Sequence, residues 1–105
     1  MKPANNAPVY ASIYHEFAEV AREFGYALAI HGSLARDFDL IAIPWAENPA
    51  SPEAVIAELE HQFAVEATGE LTPKLHGRLC QTLTFAWGDS FIDLSFMPRT
   101  NDAIP

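Results

Sequence analysis

The sequence predicts an α+β domain, a mixed or antiparallel sheet of about four strands with two helices on one face. Three observations carry this. Apolar residues recur at helical spacing from Pro8 to Phe24 and again after Pro52, four other segments alternate apolar and polar residues with the period of half-buried strands, and 105 residues suffice for one core but not two. The order helix, strand, strand, helix, strand, strand contains no internal repeat and no low-complexity linker.

In the first helix Tyr10, Ile13, Tyr14, Phe17, Val20, Ala21 and Phe24 form the apolar stripe, and Gly25 stands where a helix would stop. Tyr26 to His31 reads as a short strand and Asp37 to Ile43 as a second, closed by Pro44 and the turn-rich segment AENPASPE. Ser51 is suited to cap a helix begun by Pro52 and Glu53, with Val55, Ile56, Leu59 and Phe63 on its buried face and an end before Gly69. The segment GELTPKLHGR has no clear period and reads as a loop. Leu79 to Trp87 alternates Leu83, Phe85 and Trp87 against Thr82, Thr84 and Ala86. Gly88-Asp89 supplies a turn, and Phe91 to Met97 is the last strand.

Composition narrows the function classes. A formal net charge of −8 disfavours extended nucleic-acid binding, which needs clustered Lys and Arg for counterion release. No apolar run approaches the roughly 20 residues of a membrane span, and the N-terminal residues MKPANNAPVY do not form a hydrophobic signal segment, so a cytoplasmic protein without membrane association is expected. Cys80 has no cysteine partner and reads as a small apolar residue.

Strand alternation also sorts the polar residues. If Leu28/Ile30, Phe38/Leu40, Leu83/Phe85 and Ile92/Leu94/Phe96 face the helices, the opposite face displays His31, Asp37, Asp39, Thr82, Thr84, Asp93 and Ser95. Carboxylates sharing one face repel and raise one another's pKa unless a cation compensates them. A hard divalent ion with oxygen ligands, Mg2+ or Mn2+, suits Asp37, Asp39 and Asp93.

Gly32-Ser33 ahead of Asp37-x-Asp39 at the head of an apolar strand, with Asp93 inside FIDLSF, resembles the DNA polymerase beta type nucleotidyltransferase superfamily over roughly Ala27 to Phe96. The segment AIHGSLARDFDLIAIPW is also similar to small proteins of bacteriophages and prophages. The resemblance implies that Gly32 and Ser33 hold a nucleoside triphosphate and that Asp37 and Asp39 bind metal. It further implies that Asp93 helps activate an attacking hydroxyl, with metal ions stabilising the entering and leaving oxygens. The superfamily commonly places a short helix between the Gly-Ser pair and the first aspartate; here only Leu34, Ala35 and Arg36 intervene, as in a hairpin loop. Two functions follow as expectations: nucleotidyl transfer to a hydroxyl acceptor, or a catalytically inactive domain of the same type that binds a nucleotide or a protein partner.

Several other residues bear on the site. Lys74, His76 and Arg78 gather positive charge that could meet a phosphate, although a loop balancing the acidic face explains them equally well. His31 reads as a sheet-face residue beside an aspartate, and His15 and His61 as helix-surface residues. Trp45 and Trp87 read as core or interface aromatics rather than nucleobase platforms.

Overall fold

A computed structural model of the chain describes residues 7–34, 37–86 and 90–99. Helix α1 spans Ala7–Glu23 and is followed by strands β1 (Tyr26–His31) and β2 (Asp37–Pro44). Helix α2 (Pro52–Gln62) leads into β3 (Val65–Pro73), a single 3-10 turn (Leu75–Gly77), β4 (Leu79–Phe85) and β5 (Phe91–Phe96). The sheet has five strands in the order β1-β2-β5-β4-β3, with β2 and β5 parallel and every other neighbouring pair antiparallel. Among the described residues, no helix is long and apolar enough to cross a membrane.

Both helices cover one face, as the α+β pattern predicts. Tyr10, Phe17, Val20 and Ala21 of α1 and Val55, Ile56 and Leu59 of α2 share one buried cluster with Phe38, Leu40, Leu83, Phe85, Ile92, Leu94 and Phe96 from the sheet. Aromatic stacking fixes the approach of α1: the ring of Tyr10 lies 4.8 Å from that of Phe38 and 6.0 Å from that of Phe85. Trp45, expected in the core or at an interface, is 82 % exposed and takes no part in the core. Trp87 and the Gly88-Asp89 turn lie outside the described residues, as do Ala35 and Arg36.

The second helix ends before Gly69, as its sequence suggests. Ser51 accepts the backbone N–H of Ala54 through its side chain, as expected of the cap, and the helix stops at Gln62. At Phe63 the backbone turns extended, and the phenyl ring packs 4.6 Å from that of Phe17. A tertiary contact thus ends the helix without a glycine.

The chain then forms β3, which takes in the first half of GELTPKLHGR, where a loop was expected; the second half does form the turn from Lys74 to Arg78. Thr68 pairs with Thr82 and Thr72 with Cys80, so three residues of β3 bulge opposite Gln81 alone. Gly69, at φ +75°, takes the left-handed backbone this bulge requires. Gln81, only 4 % exposed, donates its side-chain amide to the displaced carbonyls of Thr68 (3.0 Å) and Gly69 (3.2 Å). Pro73 is tolerated because β3 is an edge strand.

Candidate functional site

Register across the sheet brings together residues far apart in sequence. His31 pairs with Asp39, Asp39 with Asp93, Asp93 with Thr82, and Thr82 with Thr68, so a single row crosses all five strands on the face away from the helices. Directly paired residues present their side chains on the same face. Asp37 is exposed one row away, beside Phe91. Ser95 and Cys80, paired across β5 and β4, form the adjacent row on the other side.

The electrostatics follow from this placement. Burial holds the Asp39 carboxyl above its ordinary pKa of 3.8, and the negative charge of Asp93 pushes it further up, whereas the neighbouring His31 imidazole pulls it down. Asp37 and a side-chain hydrogen bond with Asp93 add smaller upward contributions. Asp93 is oriented from its other side by Thr82, whose hydroxyl donates to Oδ1 at 3.1 Å.

These residues line part of a polar concavity of about 480 Å³. Asp39, Asp93 and His31 form one side, and Thr68 and Glu70 of β3 form the other. Lys74 and Arg78 also line it. Arg78 donates from a guanidinium nitrogen to the Ser95 hydroxyl at 2.8 Å, leaving Ser95 only 2 % exposed although it lies on the open face. His76 is exposed at φ +67° in the 3-10 turn and does not line the concavity.

Gly32 and Ser33 follow His31 at the end of β1, and both are exposed. A β-carbon on Gly32 would stand 2.6 Å from Asp39 Oδ2, so the glycine leaves the space that this carboxylate occupies. Leu34 then adopts φ +63°, unusual for a branched side chain, while packing against the core. Among the described residues, no three or more His, Cys, Asp and Glu side chains converge as a metal centre.

Of the sequence-predicted site residues, Asp39, Asp93, Lys74 and Arg78 thus line one cavity and Gly32 abuts Asp39. Asp37, Ser33 and His76 are exposed and do not line it. Thr68, Glu70 and Thr72 also line the cavity and were missed with β3 itself. Their signal is the alternation of Val65, Ala67 and Leu71 with Glu66, Thr68, Glu70 and Thr72, interrupted at Gly69. No family model, curated protein or solved structure matches the chain.

Proposed function

We propose that the open sheet face binds a nucleoside triphosphate with Mg2+ or Mn2+ and transfers its nucleotidyl group to a hydroxyl acceptor. The observation that carries this reading is the juxtaposition of Asp39 and Asp93 on parallel neighbours, with the Asp39 carboxyl raised by burial and by the charge beside it. Two hard oxygen donors whose repulsion a cation would relieve suit Mg2+, which is commonly held by one or two carboxylates together with waters and substrate phosphates rather than by an all-protein cage. The bound ion would supply positive charge against the phosphates and the developing oxyanions.

The chain's own residues have separable roles. Asp39, with Asp37 nearby at the head of β2, would hold the ion, while Thr82 fixes the Asp93 carboxylate so that a lone pair can take the proton of the attacking hydroxyl. The acceptor oxygen forms a bond to the α-phosphorus as the bond to the bridging oxygen breaks, and pyrophosphate departs. Lys74 and Arg78 offset the acidic face for an incoming polyphosphate. Gly32 and Ser33, next to Asp39 at the end of β1, are assigned to phosphate contact, and His76 to the outer rim of the same basic loop.

The short connection from Ser33 to Asp37 favours a second reading, a catalytically inactive domain that binds a nucleotide or a protein partner, because three residues leave no room for a helix beside the phosphates. Pyrophosphate release from the four ribonucleoside triphosphates, assayed with RNA, protein and small-molecule acceptors, separates the two. A transferase loses release in Asp93→Asn while nucleotide affinity stays within about threefold, since the lost interaction belongs to the transition state. No release from the wild type with any acceptor, despite nucleotide binding, identifies the binding domain.

A further inference from the structure

The open face is polar over β3 and β4, where Glu66, Thr68, Thr72, Thr82 and Thr84 point away from the helices, as a solvated sheet face normally is. Over β1 and β2 the rule fails. Below the His31–Asp39 pair the same face carries Ala29 opposite Ile41 and Ala27 opposite Ile43. Ile43 is 40 % exposed. Trp45 follows at the end of this line, its backbone N–H donating to the Gly25 carbonyl at 2.9 Å, and it borders the cleft that Ala27 shares with Tyr14, Ala18 and Arg22 of α1.

Resting on the nucleotide reading above, we infer that this strip seats the nucleobase, with the base lying on Ala27 and Ala29 against the wall of Ile41 and Ile43 and Trp45 closing the far end. Alanine beside isoleucine makes a shallow step in the sheet surface, to which a planar ring is the complementary shape. The spacing agrees: at roughly 3.3 Å per residue, Ile41 lies about 7 Å and Ile43 about 13 Å along β2 from Asp39, an interval that takes in the reach from the α-phosphorus of a nucleotide to its base.

Two other occupants fit less well. A partner adding a strand to the β1 edge would need the outward carbonyl of Leu28, which already accepts the Tyr14 hydroxyl. A second copy would bring together two chains of net charge −8. A base is small and uncharged.

The test compares ATP, GTP, CTP and UTP with inorganic tripolyphosphate, each with Mg2+, on the full chain carrying Trp87→Phe so that Trp45 is the only fluorophore of its kind. Nucleotides are expected to change Trp45 emission and to bind tighter than tripolyphosphate. Ile43→Ser and, separately, Trp45→Ala should weaken nucleotide binding measured by calorimetry about tenfold, the scale of one base contact, and leave tripolyphosphate binding within about twofold. Nucleotides that bind no tighter than tripolyphosphate, or variants that weaken both probes equally, overturn the base seat while the phosphate site stands. Wild-type protein that binds neither probe overturns both. A wild-type dimer that Ile43→Ser converts to monomer, read by light scattering, assigns the strip to a second copy and also overturns it.

Discussion

Gly32 and Asp39 are sterically matched across the β1–β2 hairpin: the space in which a β-carbon of Gly32 would lie, 2.6 Å from Asp39 Oδ2, is where the carboxylate needs to be. Gly32 also sits at φ +79°. Alanine there should destabilise the fold by about 1–3 kcal/mol, part from left-handed backbone and part from displacing the carboxylate. In an Asp39→Ala background the second part disappears, so a double-mutant cycle by urea unfolding should show a smaller cost of Gly32→Ala. Equal costs in both backgrounds would mean that Gly32 acts through its backbone alone.

The pH dependence of stability has a definite sign. Because burial, aided by Asp93, raises the Asp39 carboxyl above 3.8, the folded chain holds this proton more tightly than the unfolded chain. The contribution of Asp39 is therefore fully favourable below the ordinary carboxylate value and is lost as pH rises through the raised one. At pH 7 Asp39→Asn should be more stable than wild type by a few tenths to about 1 kcal/mol, discounted for solvent around the group, and the gap should close toward pH 3. Thermal melts across that range measure it.

Cation binding should run the other way. Without nucleotide, Mg2+ or Mn2+ should bind weakly to wild type, since few protein ligands are offered, and should bind more weakly still to Asp39→Asn. Calorimetric titration of both proteins gives the comparison. The same response in both would remove the paired aspartates from the site.

Arg78 is expected to matter more for polyphosphate than for the fold. Arg78→Ala removes the bond to Ser95 and one positive charge from the concavity. It should weaken tripolyphosphate binding, with the loss larger at low salt than at high salt because screening already removes part of the attraction. Salt-independent weakening would instead point to the lost hydrogen bond and a rearranged cavity floor.

Gln81 anchors the β3 bulge, and Gln81→Leu should cost about 1–3 kcal/mol by leaving the Thr68 and Gly69 carbonyls without their buried donor. Hydrogen exchange in β3 should quicken along with the loss of stability. Loss of global stability without local change in β3 would assign the effect to core packing.

Alternation was enough to place Asp39 and Asp93 on one face, because both lie inside strands whose inward residues, Phe38, Leu40, Ile92 and Leu94, are fully buried and set the register. It could not show that their strands are parallel neighbours, a property of chain topology rather than of local pattern. The β3 strand escaped because its bulge at Gly69 breaks the two-residue period and Lys74 to Gly77 follows with no period at all. The end of α2 before Gly69 was legible, but its position at Gln62 was not. Nothing near Phe63 stops a helix locally; its ring is held against Phe17, which precedes it by 46 positions.

The position of β5 has a consequence for how the molecule is made. The β1–β2 hairpin and the β3–β4–β5 meander each join consecutive antiparallel strands with little loop-closure entropy, whereas the parallel β2–β5 pair that links them brings together residues 54 positions apart at Asp39 and Asp93. Until β2 pairs with β5, the two units have no sheet contact with each other and both leave an inner edge unpaired. Asp39 and Asp93 therefore meet only where that long-range pair forms, and a chain whose two units have not joined does not display the paired carboxylates.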